Sequence, residues 1–221
     1  MHINVQRLIS VKSKVKEIIN KNNISTVPEI IAVCKKFSLN EINPLLEFGH
    51  IHFGENKIQE AESKWNSMKL SNNKIQLHMV GKLQSNKAKK ALMLFDYIHS
   101  LDSKKLADKL SYFEKLSKKK IKYFIQINIG EEEQKSGIFL KDLKNFYDYC
   151  SKTLLLNIVG FMCLPPNDSD PDKFFEILKK LSAEYKLSDI SMGMSGDYEK
   201  AVVKGSTFLR LGTSIFGERS S

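Results

Sequence analysis

The sequence predicts an α/β fold, a single (β/α)8 barrel of the TIM type with an extra helix at its amino terminus. Eight short apolar runs alternate with amphipathic segments along the chain, which is typical of parallel βαβ units. Eight such units favour a closed barrel. The alternative, an open doubly wound sheet, normally carries a Gly-rich first turn, and the segment CKKFSLNE has no glycine. At 221 residues, we expect one domain spanning 1–221.

The first three predicted elements are a helix, a strand and a second helix. A helix is predicted over Val5 to Asn22, because its apolar residues recur at helical spacing. The apolar run Ile30 to Cys34 is short enough to be the first strand. Ser38 is a suitable N-cap for the next helix, and Gly49 is a suitable end for it.

The alternation then continues to the carboxyl end. The later predicted strands are HIHFGE (50–55), IQLHMVG (75–81), DYIHSLD (96–102), IKYFIQINI (121–129), LLLNIVGFMCL (154–164), LSDISMGM (187–194) and STFLRLGT (206–213). The predicted helices between them are NKIQEAESKWNSM (56–68), SNKAKKALMLF (85–95), SKKLADKLSYFEKLS (103–117), IFLKDLKNFYDYCS (138–151), DPDKFFEILKKLSAEY (170–185) and GDYEKAVVKG (196–205).

Composition argues against several classes of protein. No apolar stretch reaches the roughly 18 residues of a membrane span, and the amino terminus lacks a signal-peptide layout, so a cytoplasmic location is expected. The three cysteines lack metal-site spacing, which predicts reduced thiols and no metal. The net charge of +10 comes from dispersed lysines, without an arginine-rich arm, so nucleic-acid binding is not expected.

In a barrel of this type, chemistry lies where the strands end at their carboxyl side. The segment SMGMSGD places Ser195 before a helix, and RLGTSIFG places Gly212 and Thr213 after the last strand. Hydroxyls and free backbone N–H groups in these two loops suit a phosphate. Routine turn glycines and helix caps remain the alternative interpretation of both motifs.

Two lysines end the first strand. Strand 8 of a closed barrel pairs with strand 1, so Lys35 and Lys36 should lie near Arg210 and the two loops. An amine beside a phosphate site suggests a Schiff base with a phosphorylated aldehyde, since partial burial and a neighbouring cation favour an uncharged amine. Neighbouring side chains of a strand point to opposite faces, so only one of the two lysines can enter the cleft.

Seven segments, in this order, resemble the pyridoxal phosphate (PLP) homeostasis proteins, whose barrel is similar to the N-terminal domain of alanine racemase. They are AVCK (32–35), FGENKIQE (53–60), HMVGKLQSNK (78–87), QINIGEEEQKSG (126–137), GFMCLPP (160–166), SMGMSGDYEKAV (191–202) and GSTFLRLGTSIFG (205–217). The resemblance implies a PLP-binding protein that acts in intracellular vitamin B6 homeostasis without substantial turnover. It also implies PLP and PLP-dependent apo-enzymes as candidate partners, and we expect a monomer.

The resemblance also implies roles for individual residues. Lys35 would carry PLP as a covalent internal aldimine, and Arg210 would face the pyridine nitrogen. Asn56 would lie near the ring, while Ser195, Gly212 and Thr213 would bind the phosphate, with Ser206 as a weaker phosphate candidate. Three positions depart from the family pattern without removing a ligand: Cys34, Lys36 and Gly196.

Two other functions are alternative interpretations of the sequence. A PLP-dependent amino-acid racemase needs two bases, of which Lys35 could be one. An RNA-binding or scaffolding protein would use the positive charge, and its binding would depend steeply on salt.

A few further residues could carry chemistry. His50 and His52 have the H-x-H spacing of some metal sites, but they begin strand 2, far from its carboxyl end, and His78 also precedes its strand end. Lys135 lies in a charged loop that could reach the cleft. Trp65 is expected in the core.

Overall fold

Eight parallel strands close into a barrel in the computed structural model, which describes residues 1–166 and 168–218. The strands are β1 (Glu29–Val33), β2 (His52–Glu55), β3 (Gln76–Met79), β4 (Tyr97–Leu101), β5 (Lys122–Ile127), β6 (Ile158–Cys163), β7 (Asp189–Met194) and β8 (Phe208–Leu211). They neighbour one another in chain order, and β8 pairs with β1 through Ile31 opposite Arg210. The predicted barrel is therefore confirmed.

Helices cover the outside of the barrel. They are α1 (Ile3–Lys21), α2 (Leu39–Glu47), α3 (Ile58–Ser71), α4 (Ala88–Leu94), α5 (Lys104–Ser117), α6 (Leu140–Asp148), α7 (Pro171–Glu184), α8 (Tyr198–Val203) and α9 (Thr213–Phe216). The predicted extra helix is α1, which packs against α2, α8 and α9. None of the helices in the described ranges is both long and apolar enough to cross a bilayer.

The ends of the elements follow local chemistry. Ser38 is the N-cap of α2, and Glu41 completes a capping box by accepting from the Ser38 backbone N–H at 2.8 Å. The carboxyl end of α6 passes into a π-helical turn, Tyr149–Thr153, followed by Leu155 at positive φ. This turn shortens the predicted sixth strand, which begins at Ile158 rather than Leu154.

The four-residue helix α9 was not predicted. The predicted domain span of 1–221 includes residues 167 and 219–221, which lie outside the described part.

Two apolar layers hold the barrel. The larger one fills the space between the strands and the helices, and it includes Trp65, which is fully buried as expected. The smaller one lies inside the barrel and is built from Ile31, Val33, Tyr97, Phe124, Met162 and Phe208. The interior of the described barrel is therefore filled with side chains.

Candidate functional site

A cavity of about 620 Å³ opens at the carboxyl ends of the strands. Its lining brings together six residues that the sequence singled out: Lys35, Asn56, Ser195, Arg210, Gly212 and Thr213. The apolar part of the wall comes from Val33, Val80, Leu164 and Met194. Residues from both ends of the chain meet here because β8 closes onto β1.

The two lysines after β1 diverge. Lys35 is half-buried and lines the cavity, whereas Lys36 is exposed and is not part of the lining. The backbone of Lys36 is left-handed, with φ of 66°, so the chain turns sharply directly after Lys35. The strand therefore presents a single amine to the cavity.

The peptide groups on both sides of Lys35 are held by α3. Lys64 Nζ donates to the Cys34 carbonyl at 2.8 Å and to Glu60 Oε1 at 2.6 Å. The same Glu60 oxygen accepts from the Lys36 backbone N–H. In the sequence, the i, i+4 spacing of Glu60 and Lys64 is the one sign of this arrangement.

A buried carboxylate completes the support. Lys64 Nζ also lies 3.2 Å from Glu55 Oε1, which accepts from the Trp65 indole N–H at 3.0 Å. Glu55 is fully buried, and that burial raises the pKa of its carboxyl group. Glu55, Glu60 and Lys64 thus form a network behind Lys35 rather than a second reactive group in the cavity.

The loops after β7 and β8 meet through Ser195. Its Oγ accepts from the Gly212 N–H at 3.2 Å and from the Ser214 N–H at 3.1 Å. Two backbone donors thus converge on one oxygen at the wall of the cavity, and the exposed Thr213 lies between them in sequence. Convergent N–H groups of this kind can hold an oxygen of an anion when it takes the place of Ser195 Oγ.

Ser206 occupies a different environment. It is buried, and its Oγ lies 2.8 Å from the Met192 carbonyl and 3.1 Å from the Phe208 carbonyl. It does not line the cavity. In this geometry its hydroxyl joins β7 to β8 beneath the loops that carry Ser195 and Gly212.

Arg210 points its guanidinium from β8 into the barrel and reaches the cavity wall. Its Nη1 donates to Ser191 Oγ at 2.6 Å and its Nη2 to the Cys163 carbonyl at 2.9 Å. The side chain is almost fully buried, without a carboxylate partner among the described residues. A fixed positive charge therefore stands in a wall that also presents an amine.

Asn56 leaves a polar atom without a partner. Its Oδ1 is buried and makes no hydrogen bond within the described residues, although Asn56 lines the cavity. A second cavity of about 400 Å³ adjoins the first and shares Asn56, Val80, Leu164 and Met194 with it. Lys135 lines this second cavity and pairs with Glu132 at 2.6 Å.

The cysteines near the site are packed. Cys34 and Cys163 are both fully buried, and burial raises the pKa of both thiols, that of Cys163 to about 12. Thiols in this state remain protonated and are poor nucleophiles. Their contribution is to packing and, through their carbonyls, to holding Lys64 and Arg210.

The cavity thus combines one accessible amine, one buried guanidinium and two convergent N–H donors, and its lining also includes the exposed carboxylate of Glu218. This set suits a small anionic molecule that carries a carbonyl group, because an amine can add to the carbonyl while the N–H groups hold the anion.

Comparison with known proteins shows the family of this chain. The chain matches the family model of the alanine racemase N-terminal domain over residues 8–220. The pyridoxal phosphate homeostasis protein of Pasteurella multocida is 34% identical over 201 residues, which cover 86% of either chain. That of Aquifex aeolicus is 35% identical over 178 residues, which cover 76% of either chain.

Solved structures agree with the sequence matches. PipY of Synechococcus elongatus, solved with PLP bound, superposes with a TM-score of 0.79 at 31% identity, covering 92% of this chain and 100% of the PipY chain. The PipY structure without PLP superposes with a TM-score of 0.81 over the same share of each chain. The likeness therefore covers almost the whole barrel.

Proposed function

This chain belongs to the family of pyridoxal phosphate homeostasis proteins, and on that basis we propose that its large cavity binds PLP as a Schiff base on Lys35. The observation that carries the proposal is the meeting of Lys35, Arg210 and the Ser195 loop in one wall. PLP binding is supported by a relative: PipY, which is 31% identical to this chain, has been solved with PLP bound.

The residues present fit the chemical groups of PLP. The phosphate suits the site where the Gly212 and Ser214 N–H groups converge on Ser195, with Thr213 beside them. The aldehyde suits the Lys35 amine. Asn56 Oδ1, which has no partner among the described residues, can accept a hydrogen bond from the ring hydroxyl. We propose that Ser206 joins β7 to β8 rather than binding the phosphate, because its hydroxyl is hydrogen-bonded to backbone carbonyls.

The position of Arg210 favours a protein that binds and carries PLP over one that uses PLP in catalysis. PLP supplies an electron sink for carbanion chemistry when its pyridine nitrogen is protonated. An arginine remains charged and can only donate, so a guanidinium at that nitrogen disfavours its protonation. We therefore propose that the protein carries PLP in vitamin B6 homeostasis with little turnover, and that PLP-dependent apo-enzymes are its recipients.

Borohydride trapping tests the proposed linkage. The protein incubated with PLP should absorb in the visible range, and reduction should leave one pyridoxyl adduct on Lys35, located by peptide mapping. Lys35→Ala should abolish the adduct, whereas Lys36→Ala, which alters the neighbouring exposed amine, should retain it. An adduct that maps to Lys36, or one that persists in Lys35→Ala, would refute the assignment.

The same PLP-loaded protein tests the absence of turnover. Racemisation of L-alanine should stay at the rate of free PLP. Rapid racemisation abolished by Lys35→Ala would instead establish the racemase alternative.

A further inference from the structure

A string of buried polar side chains crosses the barrel beneath the proposed PLP cavity. It runs from Arg210 to Ser191 and then through three histidines. Ser191 Oγ lies 2.6 Å from Arg210 Nη1 and 2.8 Å from His99 Nδ1. His99 Nε2 lies 2.9 Å from His78 Nδ1, and His78 Nε2 lies 3.0 Å from His52 Nδ1. We refer to Ser191, His99, His78 and His52 as the histidine chain.

The outer end of the histidine chain lies at the opposite mouth of the barrel. His52 Nε2 is 3.5 Å from the Glu29 carboxylate, whose side chain is 60% exposed. His52 and Glu29 line a cavity of about 560 Å³ at the amino-terminal ends of the strands. The histidine chain therefore connects this mouth with the cavity in which Arg210 lies.

The two ends of the histidine chain select the same direction for its hydrogen bonds. Arginine only donates, so Ser191 Oγ accepts from it, and the Ser191 hydroxyl can donate to His99 Nδ1. His99 then carries its proton on Nε2 and donates to His78, which donates in the same way to His52. His52 finally presents Nε2–H to the Glu29 carboxylate. Each imidazole is neutral, with one donor and one acceptor used.

The reverse direction fails at both ends. His99 would donate to Ser191, and the buried Ser191 hydroxyl proton would have no acceptor among its contacts in the described residues. At the other end, the bare lone pair of His52 Nε2 would face the Glu29 carboxylate. Both ends thus exclude the same arrangement.

The rings are also held in place and kept uncharged. His78 stacks on Tyr97 with ring centroids 4.3 Å apart, and His99 stacks on Phe124 at 4.2 Å. Both are fully buried, and burial lowers the pKa of each, with the Arg210 charge adding to the effect at His99. Burial also lowers the pKa of His52. The charge of Lys122 lowers it further, whereas the charges of Glu29 and Asp96 raise it.

We infer that the histidine chain positions Arg210 for PLP, as a one-directional series of neutral imidazoles anchored at the far mouth of the barrel. The inference rests on the proposed PLP function. It does not describe a proton relay, because the series ends at an arginine, which keeps its protons. The histidine chain instead fixes the orientation of the Ser191 hydroxyl. Its proton points to His99 Nδ1, so that its oxygen lone pair accepts the hydrogen bond from Arg210 Nη1.

The first test needs no variant and no activity. Long-range ¹H–¹⁵N NMR of the full-length protein, recorded both with and without PLP, should find His78 and His99 as Nε2–H tautomers at neutral pH. Nδ1–H tautomers, or charged imidazoles, would overturn the inference whether or not PLP binds. This result is independent of the proposed function, which the borohydride experiment tests separately.

The second test breaks the histidine chain far from the cofactor. His52→Phe removes the acceptor of His78 Nε2–H, and we expect mixed tautomers, a shifted absorption maximum of bound PLP and about tenfold weaker PLP binding. His52→Gln, whose amide oxygen can accept from His78, should restore much of both readouts. His50→Phe is the matched control, because His50 is a buried histidine two residues away that is outside the histidine chain.

The two variants together decide the inference. An unchanged PLP spectrum and affinity in folded His52→Phe would show that the histidine chain has only a structural role. Equal effects of His52→Phe and His50→Phe would show the same, since any loss of packing at this mouth would then suffice.

Discussion

At the scale of single residues, Lys64 is central to how Lys35 is presented. Its ammonium group binds the Cys34 carbonyl and two carboxylates, Glu55 and Glu60, and its side chain is only 11% exposed. The fully buried Glu55 has this ammonium and the Trp65 indole as its partners among the described residues. Removing the ammonium therefore leaves a buried carboxylate without its counter-ion.

We expect Lys64→Met to lower the free energy of unfolding by about 3 kcal/mol, because breaking a buried ion pair leaves an uncompensated charge. The double variant Lys64→Met/Glu55→Gln should recover much of this loss, since the amide is uncharged and still accepts from Trp65. Urea unfolding at pH 7.5 measures both changes.

The control for this prediction is the exposed pair of Lys152 and Asp148, 2.8 Å apart. Lys152→Met should leave the urea midpoint at its wild-type value, because solvent screens the pair. If Lys64→Met were no more damaging than Lys152→Met, the network behind Lys35 would not support the fold.

The sequence could predict the ligating residues of the site better than their supports. Lys35, Ser195, Gly212 and Thr213 occur in short local patterns at strand ends, where the barrel rule directs attention. Lys64 and Glu60 show only helical spacing, and their partners on β1 are distant in sequence. Ser206 is the weaker phosphate candidate in the segment GSTFLRLGTSIFG, but only the folded structure shows that its hydroxyl is directed to backbone carbonyls.

At the scale of elements, the ends of β2 and β3 approach one another at Gly81. A Cβ atom on Gly81 would lie 2.5 Å from the Asn56 carbonyl oxygen and 2.7 Å from the Asn56 Cα. Such contacts cannot be relieved without moving the backbone. Because Asn56 lines the proposed PLP site, this close approach fixes one wall of it.

We expect Gly81→Ala to destabilise the protein by about 1–3 kcal/mol and to weaken PLP binding, because overpacking shifts the Asn56 backbone. Gly196→Ala is the matched control for stability, since no atom of the described residues beyond Gly196 and its chain neighbours lies within 4 Å of the added methyl group. Thermal unfolding of the two variants and PLP titration of Gly81→Ala measure the effects. A Gly81→Ala protein as stable as Gly196→Ala would contradict the close approach.

Periodicity predicted the existence and order of the strands, but local geometry set their ends. Leu154 to Leu156 are apolar enough to extend β6, yet Leu154 ends the π-helical turn and Leu155 is left-handed, so the strand begins only at Ile158. The four residues of α9 are too few to show helical spacing. Its position becomes understandable only once β8 has closed the barrel beside α1.

At the scale of the whole molecule, closure of the barrel creates relationships that no segment predicts. His52, His78 and His99 lie on β2, β3 and β4, and Ser191 and Arg210 lie on β7 and β8. The HIH pattern at the start of β2 suggested at most a metal site, and its position argued against one. Only the closed barrel brings the rings into hydrogen-bond contact across its interior.

The same buried histidines predict how the whole fold responds to acid. Burial lowers the pKa of His50 to about 3, and lowers those of His78 and His99 well below the ordinary value of 6.5. Below pH 6.5 the unfolded chain therefore binds protons that the folded chain does not, so stability is present above that pH and is lost as the pH falls. Each such histidine contributes about 1.4 kcal/mol per pH unit.

We therefore expect the free energy of unfolding to fall between pH 7.5 and pH 5.5, with a slope of about 4 kcal/mol per pH unit at the acid end from His50, His78 and His99, to which the lowered pKa of His52 adds. Urea unfolding at several pH values measures the slope, and His50→Phe should lower it by about 1.4 kcal/mol per pH unit, because one neutral histidine is gone. A stability that stays constant over this range would mean that the histidines take up protons as readily in the folded state as in the unfolded chain, and so are charged in the folded state at pH 5.5. Since a charged imidazole has two donors and no acceptor, that result would also be incompatible with the hydrogen bonds that join His52, His78 and His99.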